Sequence, residues 1–179
     1  LGTGKIGAAV IKNLSGFGCR ILASDIRENP SLKGLCTYVD NETLYKACDI
    51  ISLHMPLLES TRHFVNAETI AKMKDGVTII NCARGELMNI PDMIRGIETQ
   101  KIGALALDVF DKEDGIYHEN RRDDILSNRD MAYLRQFPNV IMTQHMAFYT
   151  DAAVQSMVFC GIEGLCDFAK TGHTETELV

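Results

Sequence analysis

Close to its start the chain reads GTGKIG at residues 2–7, which matches the glycine spacing G-x-G-x-x-G. Glycines at these positions allow a tight turn and a close approach of the backbone to a diphosphate. The apolar residues that follow recur at helical spacing, so the motif opens a helix whose N-terminal amides attract an anion. This arrangement restricts the chain to folds in which a glycine turn leads into a helix.

A carboxylate further along the chain supports a dinucleotide site. The apolar stretch 20–25 reads as the next strand and ends at Asp25, about 20 residues beyond the glycines. A carboxylate at this point can accept hydrogen bonds from both ribose hydroxyls of NAD, and it repels the 2′-phosphate of NADP. The nearby Arg27 could accommodate NADP, and Asp25 could simply cap a turn, so both alternatives stay open. The combination predicts NAD as the cofactor.

Apolar stretches of strand length alternate with helical stretches along the rest of the chain. The strand-like stretches are apolar on both sides, which is typical of a parallel sheet with helices on both faces. We therefore predict an α/β fold with a doubly wound, Rossmann-like sheet. The expected strands lie near 20–25, 36–39, 49–54, 77–82, 102–109 and 140–143.

The organisation of the chain suggests a fragment. It begins inside the glycine motif, so we expect a domain that is truncated at its first strand. Residues 1–150 would form an NAD-binding domain, and residues 151–179 a C-terminal helix. The polar segment 110–138 exceeds an ordinary connection, and we expect it to be functional.

Composition excludes several classes of protein. A net charge of −6 and a pI near 5.3 leave no basic excess to neutralise phosphates, so we expect no nucleic-acid partner. No uninterrupted apolar run approaches the ~20 residues that span a bilayer, so we expect no transmembrane helix and no membrane partner. Six cysteines without a C-x-x-C pair indicate reduced thiols, and the histidines lack metal-ligand spacing. We expect a cytoplasmic protein without a metal, in which Cys19, Cys48 and Cys82 are buried.

Charged side chains follow several predicted strands, at the sheet edge where doubly wound folds bind ligands. These residues are Arg84, Asp108, Glu113 and His145. An arginine can hold a carboxylate by two parallel hydrogen bonds, and a histidine beside a glutamate stays protonated and can deliver a proton. Each residue alone would by default form a structural salt bridge. Together they match the reduction of a 2-oxo acid by NADH.

Longer motifs carry a family resemblance. The matching stretches cover essentially the whole chain and read GTGKIG, GFGCRILASD, DIISLHMPL, INCARGELMN, ALDVFDKEDGIY and HMAFYT. With them the chain resembles the NAD-dependent D-2-hydroxyacid dehydrogenases, and within these the D-lactate dehydrogenase branch that includes the vancomycin-resistance type. The long insertion between Glu113 and His145 is typical of that branch. Lys5 stands where a histidine is frequent and Gln144 where a proline is common, but neither change removes a group that the mechanism needs.

The resemblance implies roles for individual residues. Arg84 would bind the substrate carboxylate, His145 would be the acid/base, and Glu113 would pair with His145. Asp25 would bind the adenosine ribose. The other implied cofactor contacts lie in the glycine turn (Gly2, Gly4, Lys5, Ile6 and Gly7), in the adenosine region (Met55, Pro56 and Thr61) and beside the nicotinamide (Cys82, Ala83 and Asp108). The aromatic pair Phe148 and Tyr149 would border the substrate.

We therefore expect an NAD-dependent dehydrogenase of a small 2-oxo or 2-hydroxy acid, with pyruvate and D-lactate as the substrate pair and a homodimer as the assembly. Two alternatives stay open: a sister dehydrogenase for a bulkier acid such as 2-oxoisocaproate or phenylpyruvate, and a non-enzymatic NAD(H)-sensing corepressor. Most of the family's substrate domain lies outside this sequence, so we expect weak NAD binding and little turnover from this chain alone. The last helix would expose an apolar surface toward that domain.

Overall fold

The computed structural model describes residues 1–120 and 128–174, and it divides into two compact units, Leu1–Gln144 and His145–Val179. The described strands of the first unit are β1 (Leu22–Ala23), β2 (Thr37–Tyr38), β3 (Ile50–Leu53), β4 (Val77–Asn81), β5 (Ile102–Leu107) and β6 (Val140–Met142). Its described helices are α1 (Lys5–Leu14), α2 (Asn41–Ala47), α3 (Ala67–Lys72), α4 (Ile90–Glu98) and α5 (Arg129–Leu134). The second unit contains α6 (Asp151–Thr171). The sequence-based division after residue 150 stays a prediction about the domains.

Every pair of neighbouring strands is parallel. β3, β4, β5 and β6 lie side by side in that order, and β1 pairs with β2 in a separate two-stranded sheet. The backbone of Leu1 and Gly2 joins the two sheets, because the Gly2 amide donates to the Ser24 carbonyl (2.9 Å) and the Leu1 carbonyl accepts from the His54 amide (2.7 Å). Helices link successive parallel strands, so the predicted doubly wound α/β fold is confirmed.

Burial of aliphatic side chains holds the four-stranded sheet together. Ile51, Leu53, Ile79 and Leu105 in β3, β4 and β5 are at most 2% exposed. Burying one such side chain stabilises the fold by roughly 1.5–3 kcal/mol. This packed layer gives a rigid base for the loops that leave the carboxyl ends of the strands.

Polar side chains begin most of the helices. An oxygen of the residue before the helix accepts a hydrogen bond from an amide of the first turn in α2, α3, α4, α5 and α6, with caps at Asp40, Asn66, Asn89, Asn128 and Thr150. Helix α1 differs, because its N-cap is Gly4 and no side chain caps it. The amides of its first turn therefore remain available to a ligand.

The prediction that Cys19, Cys48 and Cys82 are buried is wrong for Cys19 and Cys82, and Cys48 meets it only in part. All six cysteines are free, in agreement with the prediction of reduced thiols, but Cys19 and Cys82 are exposed and Cys48 is half-buried. Apolar sequence neighbours do not bury these side chains, because Cys19 lies in the loop before β1 and Cys82 follows the last residue of β4.

Helix α6 exposes much of its apolar surface. Its large apolar side chains are at least half exposed, namely Met157, Val158, Phe159, Ile162, Leu165 and Phe168, which confirms the expected surface on the last helix. Within the described residues α6 is also long and apolar enough, by length and composition alone, to cross a membrane. Glu163 and Asp167 interrupt its apolar run, and length and composition do not by themselves place a helix in a membrane, so the expected absence of a transmembrane helix stays a prediction. An exposed apolar surface of this kind marks a contact with another protein surface or with a membrane.

Candidate active site

The glycine turn needs glycine at its two ends. Gly2 has a φ of +87°, and a Cβ there would lie 2.7 Å from the carbonyl carbon of His54. A Cβ on Gly7 would lie 2.1 Å from the Gly2 carbonyl oxygen. Real Cβ atoms do not approach backbone atoms so closely, so side chains at either position would force the turn open. The turn is therefore held against the loop that follows β3.

Gly4 has a different environment from its two neighbours in the motif. A Cβ on Gly4 would have no heavy atom within 4 Å, so the backbone there faces open space. The N-terminus of α1 lies behind it and carries partial positive charge from its uncapped amides. Lys5 and Ile6, the first residues of α1, are both exposed. This open, electropositive cradle fits the diphosphate of a dinucleotide.

Replacing Gly4 by alanine tests the cradle. Since no protein atom meets the new methyl group, Gly4→Ala should fold normally, yet the methyl group should weaken NADH binding about tenfold by occupying the cradle. Fluorescence titration of the full-length protein with NADH measures this change, and thermal unfolding checks the fold. Gly16→Ala is the matched control, because a Cβ on Gly16 also meets nothing within 4 Å. Equal NADH affinity in both variants would contradict a diphosphate site at Gly4.

Asp25 follows β1 closely and is exposed. Its Oδ2 accepts hydrogen bonds from the Thr3 amide (2.5 Å) and the Thr3 hydroxyl (3.0 Å), and its Oδ1 accepts from the Arg27 amide (3.1 Å). Desolvation opposes ionisation of this carboxyl, but the hydrogen bonds from the Thr3 and Arg27 amides outweigh it and hold the pKa of Asp25 below its usual value. The ionised carboxylate, anchored to the glycine turn, can accept hydrogen bonds from ribose hydroxyls.

The predicted adenosine residues lie in the loop after β3. A Cβ on Gly2 would lie 2.8 Å from the Met55 amide nitrogen, so Met55 is adjacent to the glycine turn. The Thr61 hydroxyl donates to the Pro56 carbonyl (2.7 Å) and accepts from the Leu58 amide (2.8 Å). Thr61 therefore stabilises the loop that carries Pro56. Because its hydroxyl proton is already used within that loop, a structural role for Thr61 is better supported than a hydrogen bond from its hydroxyl to the cofactor.

Arg84 and the predicted nicotinamide neighbours Cys82 and Ala83 follow β4, where Asn81 organises the turn. Asn81 is fully buried; its Nδ2 donates to the Arg84 carbonyl (2.8 Å) and its Oδ1 accepts from the Ala83 amide (3.0 Å). The exposed Arg84 guanidinium donates to the Ala83 carbonyl at 2.7 Å. Sequence reasoning missed Asn81, although an amide at the end of the apolar strand VTIIN was a usable signal.

Glu113 lies in a turn that packs against the turn of Arg84. Its Oε2 accepts from the Phe110 amide (2.6 Å), and its carbonyl accepts from the Tyr117 amide (3.0 Å). A Cβ on Gly85 would lie 2.1 Å from the Phe110 carbonyl carbon, so the two turns are in direct contact. Burial, followed by the negative charge of Glu113, raises the pKa of Tyr117 to about 12. The structure therefore brings the loops of Arg84 and Glu113 together at one edge of the sheet.

Asp108 lies at the same edge, directly after β5. It is buried, its amide donates to the Asn81 carbonyl (3.0 Å), and its carboxylate accepts from the Thr143 hydroxyl. Although the Cys82 side chain is exposed, partial desolvation of its thiol, and then the negative charge of Asp108, raise the pKa of that thiol. Asp108 and Cys82, both predicted beside the nicotinamide, are thus electrostatically coupled. Sequence reasoning also missed Thr143, because no sequence pattern links it to Asp108, which lies 35 residues earlier.

His145 is the first residue of the second unit. It is half-buried and has a φ of +54°, a left-handed conformation that is uncommon for residues other than glycine. In the same unit Phe148 and Tyr149 are exposed and pack edge to face, with ring centroids 6.0 Å apart. His145 follows β6 by three residues in the sequence. The convergence of His145 with Arg84 and Glu113 stays a prediction.

Comparison with known proteins adds an independent line of evidence. Residues 1–147 match the family model described as "D-isomer specific 2-hydroxyacid dehydrogenase, NAD binding domain". The chain is 42% identical to an aromatic 2-oxoacid reductase of Clostridium sporogenes over 180 aligned residues, which cover 100% of the chain and 54% of the relative. It spans about half the length of the curated relatives it matches.

Solved structures show the same likeness. A D-lactate dehydrogenase from a Sporolactobacillus species superimposes with a TM-score of 0.94 at 34% identity, covering 99% of the chain and 53% of that structure. The NAD-complexed form of a D-isomer specific 2-hydroxyacid dehydrogenase from Lactobacillus delbrueckii ssp. bulgaricus gives a TM-score of 0.91 at 32% identity, covering 99% of the chain and 54% of that structure.

Proposed function

The chain belongs to the D-isomer-specific 2-hydroxyacid dehydrogenases, and from this premise we propose that the full-length protein reduces a 2-oxo acid to the D-2-hydroxy acid. The domain that it contains binds NAD. One observation carries the proposal: the turn of Arg84 packs directly against the turn of Glu113 at the sheet edge. A carboxylate clamp and an acidic partner for a proton donor therefore lie next to each other.

Arg84 binds the substrate carboxylate in this proposal. A guanidinium offers parallel N–H donors that match a carboxylate, which fixes both the position and the orientation of the 2-oxo acid. Asn81 supports this role because its buried side chain holds the Arg84 carbonyl and the Ala83 amide in place. The clamp thus stands on a rigid turn.

His145 transfers the proton. NADH supplies the hydride that reduces the carbonyl carbon, and the imidazolium of His145 donates its proton to the carbonyl oxygen. Glu113 stabilises the positive charge of the imidazolium. In the reverse direction the neutral imidazole accepts the proton of the D-2-hydroxy acid.

Neutralising Glu113 should change the pH dependence of the reaction. Glu113→Gln should shift the optimum for 2-oxo acid reduction to lower pH, because it removes the negative charge proposed beside the proton donor. The measurement is kcat/KM against pH for the full-length enzyme, with Glu119→Gln as control because Glu119 is exposed beyond this turn. A pH profile identical to that of the wild type would contradict the pairing.

Pyruvate, reduced to D-lactate, is our proposed substrate. The motif HMAFYT, which supports the D-lactate branch, and the D-lactate dehydrogenase from Sporolactobacillus at a TM-score of 0.94 favour it. A second candidate is an aromatic 2-oxo acid, favoured by the 42% identity to the Clostridium sporogenes aromatic 2-oxoacid reductase. Comparing kcat/KM for pyruvate, 2-oxoisocaproate and phenylpyruvate in the full-length enzyme decides between them. No NADH consumption with any of the three would favour the NAD(H)-sensing corepressor instead.

We also propose that the protein is a cytoplasmic homodimer. Six free cysteines suit a reducing compartment. The remainder of the full-length protein would cover the apolar surface of α6, because this chain represents about half of its relatives. The fragment alone would accordingly bind NAD weakly and turn over little. Light scattering of the full-length enzyme measures the oligomeric state. Recovery of the enzyme in the membrane fraction of a cell lysate would contradict the proposed cytoplasmic location.

A further inference from the structure

Asp25 is the end of a hydrogen-bond chain that reaches three other residues. The Asn29 amide donates to the Tyr38 hydroxyl oxygen (2.8 Å), and the Tyr38 hydroxyl donates to Thr3 Oγ1 (3.0 Å). The Thr3 hydroxyl donates in turn to Asp25 Oδ2 (3.0 Å). We call Thr3, Asn29, Tyr38 and Asp25 the Asp25 network. Thr3, in its middle, is only 3% exposed.

The direction of every proton in the network is determined by chemistry. The Asn29 N–H can only donate, so the Tyr38 oxygen accepts it and the single Tyr38 proton is free to point at Thr3. Thr3 Oγ1 accepts that proton and directs its own toward Asp25. An ionised carboxylate can only accept, so the chain ends there. Protonation of Asp25 would leave fewer oxygen lone pairs to accept hydrogen bonds at the end of this chain. The network therefore favours the ionised form of the Asp25 carboxyl.

The network also joins two parts of the expected cofactor site. The Asn29 Nδ2 donates to the Thr3 carbonyl (3.0 Å), which ties the backbone of the glycine turn to the loop after β1. The Thr3 amide donates to the same Asp25 oxygen that accepts the Thr3 hydroxyl. Because both hydrogen bonds reach Oδ2, the carboxylate cannot rotate without breaking them. Its orientation relative to the diphosphate cradle is thereby constrained.

We propose that Tyr38, Asn29 and Thr3 are positioning residues that orient the Asp25 carboxylate and so set the preference for NADH over NADPH. This inference rests on the proposed contact between Asp25 and the adenosine ribose. A held carboxylate accepts from the 2′-hydroxyl of NADH and meets the 2′-phosphate of NADPH with like charge. A carboxylate that has lost these hydrogen bonds can turn away from the 2′-phosphate of NADPH, and the preference for NADH over NADPH then falls.

Two substitutions in the full-length enzyme test the network. Tyr38→Phe removes the central hydroxyl, and Thr3→Val removes the last hydroxyl while nearly keeping the side-chain volume. Thr3→Val removes one hydrogen bond to Asp25 Oδ2, and Tyr38→Phe removes the proton that orients the Thr3 hydroxyl toward that oxygen. Each should lower the ratio of the NADPH to the NADH dissociation constant about fivefold. Steady-state kinetics should show the change in KM for NADH rather than in kcat. Thermal unfolding reports any separate effect on stability.

Matched variants separate positioning from general damage. Thr3→Ser keeps the hydroxyl and should keep the wild-type ratio. Tyr133→Phe deletes a tyrosine hydroxyl that donates to Glu98 on the surface (2.8 Å), and it should change neither dissociation constant. If Tyr38→Phe does not fold, the ratio of the two dissociation constants in Thr3→Val, compared with that in Thr3→Ser, decides whether the network positions Asp25.

The outcomes distinguish this inference from the proposal on which it rests. An unchanged ratio in Tyr38→Phe and Thr3→Val, while Asp25→Ala lowers it, overturns the network and leaves the ribose contact standing. An unchanged ratio in Asp25→Ala overturns the ribose contact itself. A lower unfolding temperature without any change in the ratio would assign the network to stability alone, and it would also overturn the inference.

Discussion

Alanine at His145 is expected to lower the turnover of 2-oxo acid reduction by about 10²–10⁴-fold, the usual contribution of a general acid. The loss should appear in kcat in the full-length enzyme, because without the imidazole no group delivers the proton to the carbonyl oxygen. NADH binding should change little, since the expected diphosphate and ribose contacts lie in the glycine turn and at Asp25. Steady-state kinetics with pyruvate and an NADH titration measure the two effects.

His63→Ala is a close control for this substitution. Both histidines are half-buried and both have left-handed backbones, with φ of +52° at His63 and +54° at His145. The native histidines already bear the cost of this conformation, roughly 1–2 kcal/mol for an L-residue, so alanine should change the stability by a similar small amount at both positions. Only His145→Ala should lose turnover. Near-wild-type kcat in a folded His145→Ala enzyme would show that another group donates the proton.

A single methyl group at Gly85 is expected to reduce turnover about 100-fold, since a misplacement of about 1 Å can have that effect. A Cβ on Gly85 would lie 2.1 Å from the carbonyl carbon and 2.4 Å from the carbonyl oxygen of Phe110. Both neighbours are backbone atoms, so Gly85→Ala must push the turn of Arg84 away from the turn of Glu113. Arg84, which is proposed to bind the substrate carboxylate, and Glu113, which is proposed to pair with His145, are then no longer correctly placed around one substrate.

The kinetic pattern identifies the cause of the loss. Displacement of Arg84 should raise KM for the 2-oxo acid as well as lower kcat. NADH affinity should fall less, because the three atoms nearest a Cβ on Gly85 belong to Phe110 and Asp111 and not to the glycine turn. Gly16→Ala, where a Cβ meets nothing within 4 Å, is the control for adding a methyl group. Gly85→Ala with unchanged kinetics and stability would contradict the close packing of the two turns.

Local patterns were sufficient to predict the elements of the fold. Runs such as 77–82 and 102–109 are apolar enough to be buried on both faces, and they form β4 and β5 nearly as expected. The prediction for Cys19 failed because burial depends on what packs above a residue, and its apolar sequence neighbours do not report that. The expected absence of a transmembrane helix stays a prediction, because α6 could cross a membrane by its length and composition but Glu163 and Asp167 interrupt its apolar run.

The candidate site was only partly predictable. Arg84, Asp108 and Glu113 could be proposed because charged residues after apolar strands stand out in the sequence. Thr143 and Tyr38 could not be given roles, since their hydrogen-bond partners Asp108 and Thr3 lie 35 residues away in the sequence. Asn81 was missed although its partners lie within three residues in the same turn. Whether a hydroxyl or amide supports a charged group depends on distances of about 3 Å, the length of a hydrogen bond, which no spacing in the sequence reports.

The amino-acid sequence by itself determined the alternation of strands and helices, the glycine turn and the types of charged side chain at the strand ends. These follow from periodicity and from the conformational freedom of single residues, which are local properties of the chain. Only the tertiary structure decided that the turns of Arg84 and Glu113 touch and that Tyr38 acts on Asp25 through Thr3. Those contacts arise when parallel strands bring distant segments to one sheet edge, where packing at van der Waals distance selects which groups meet.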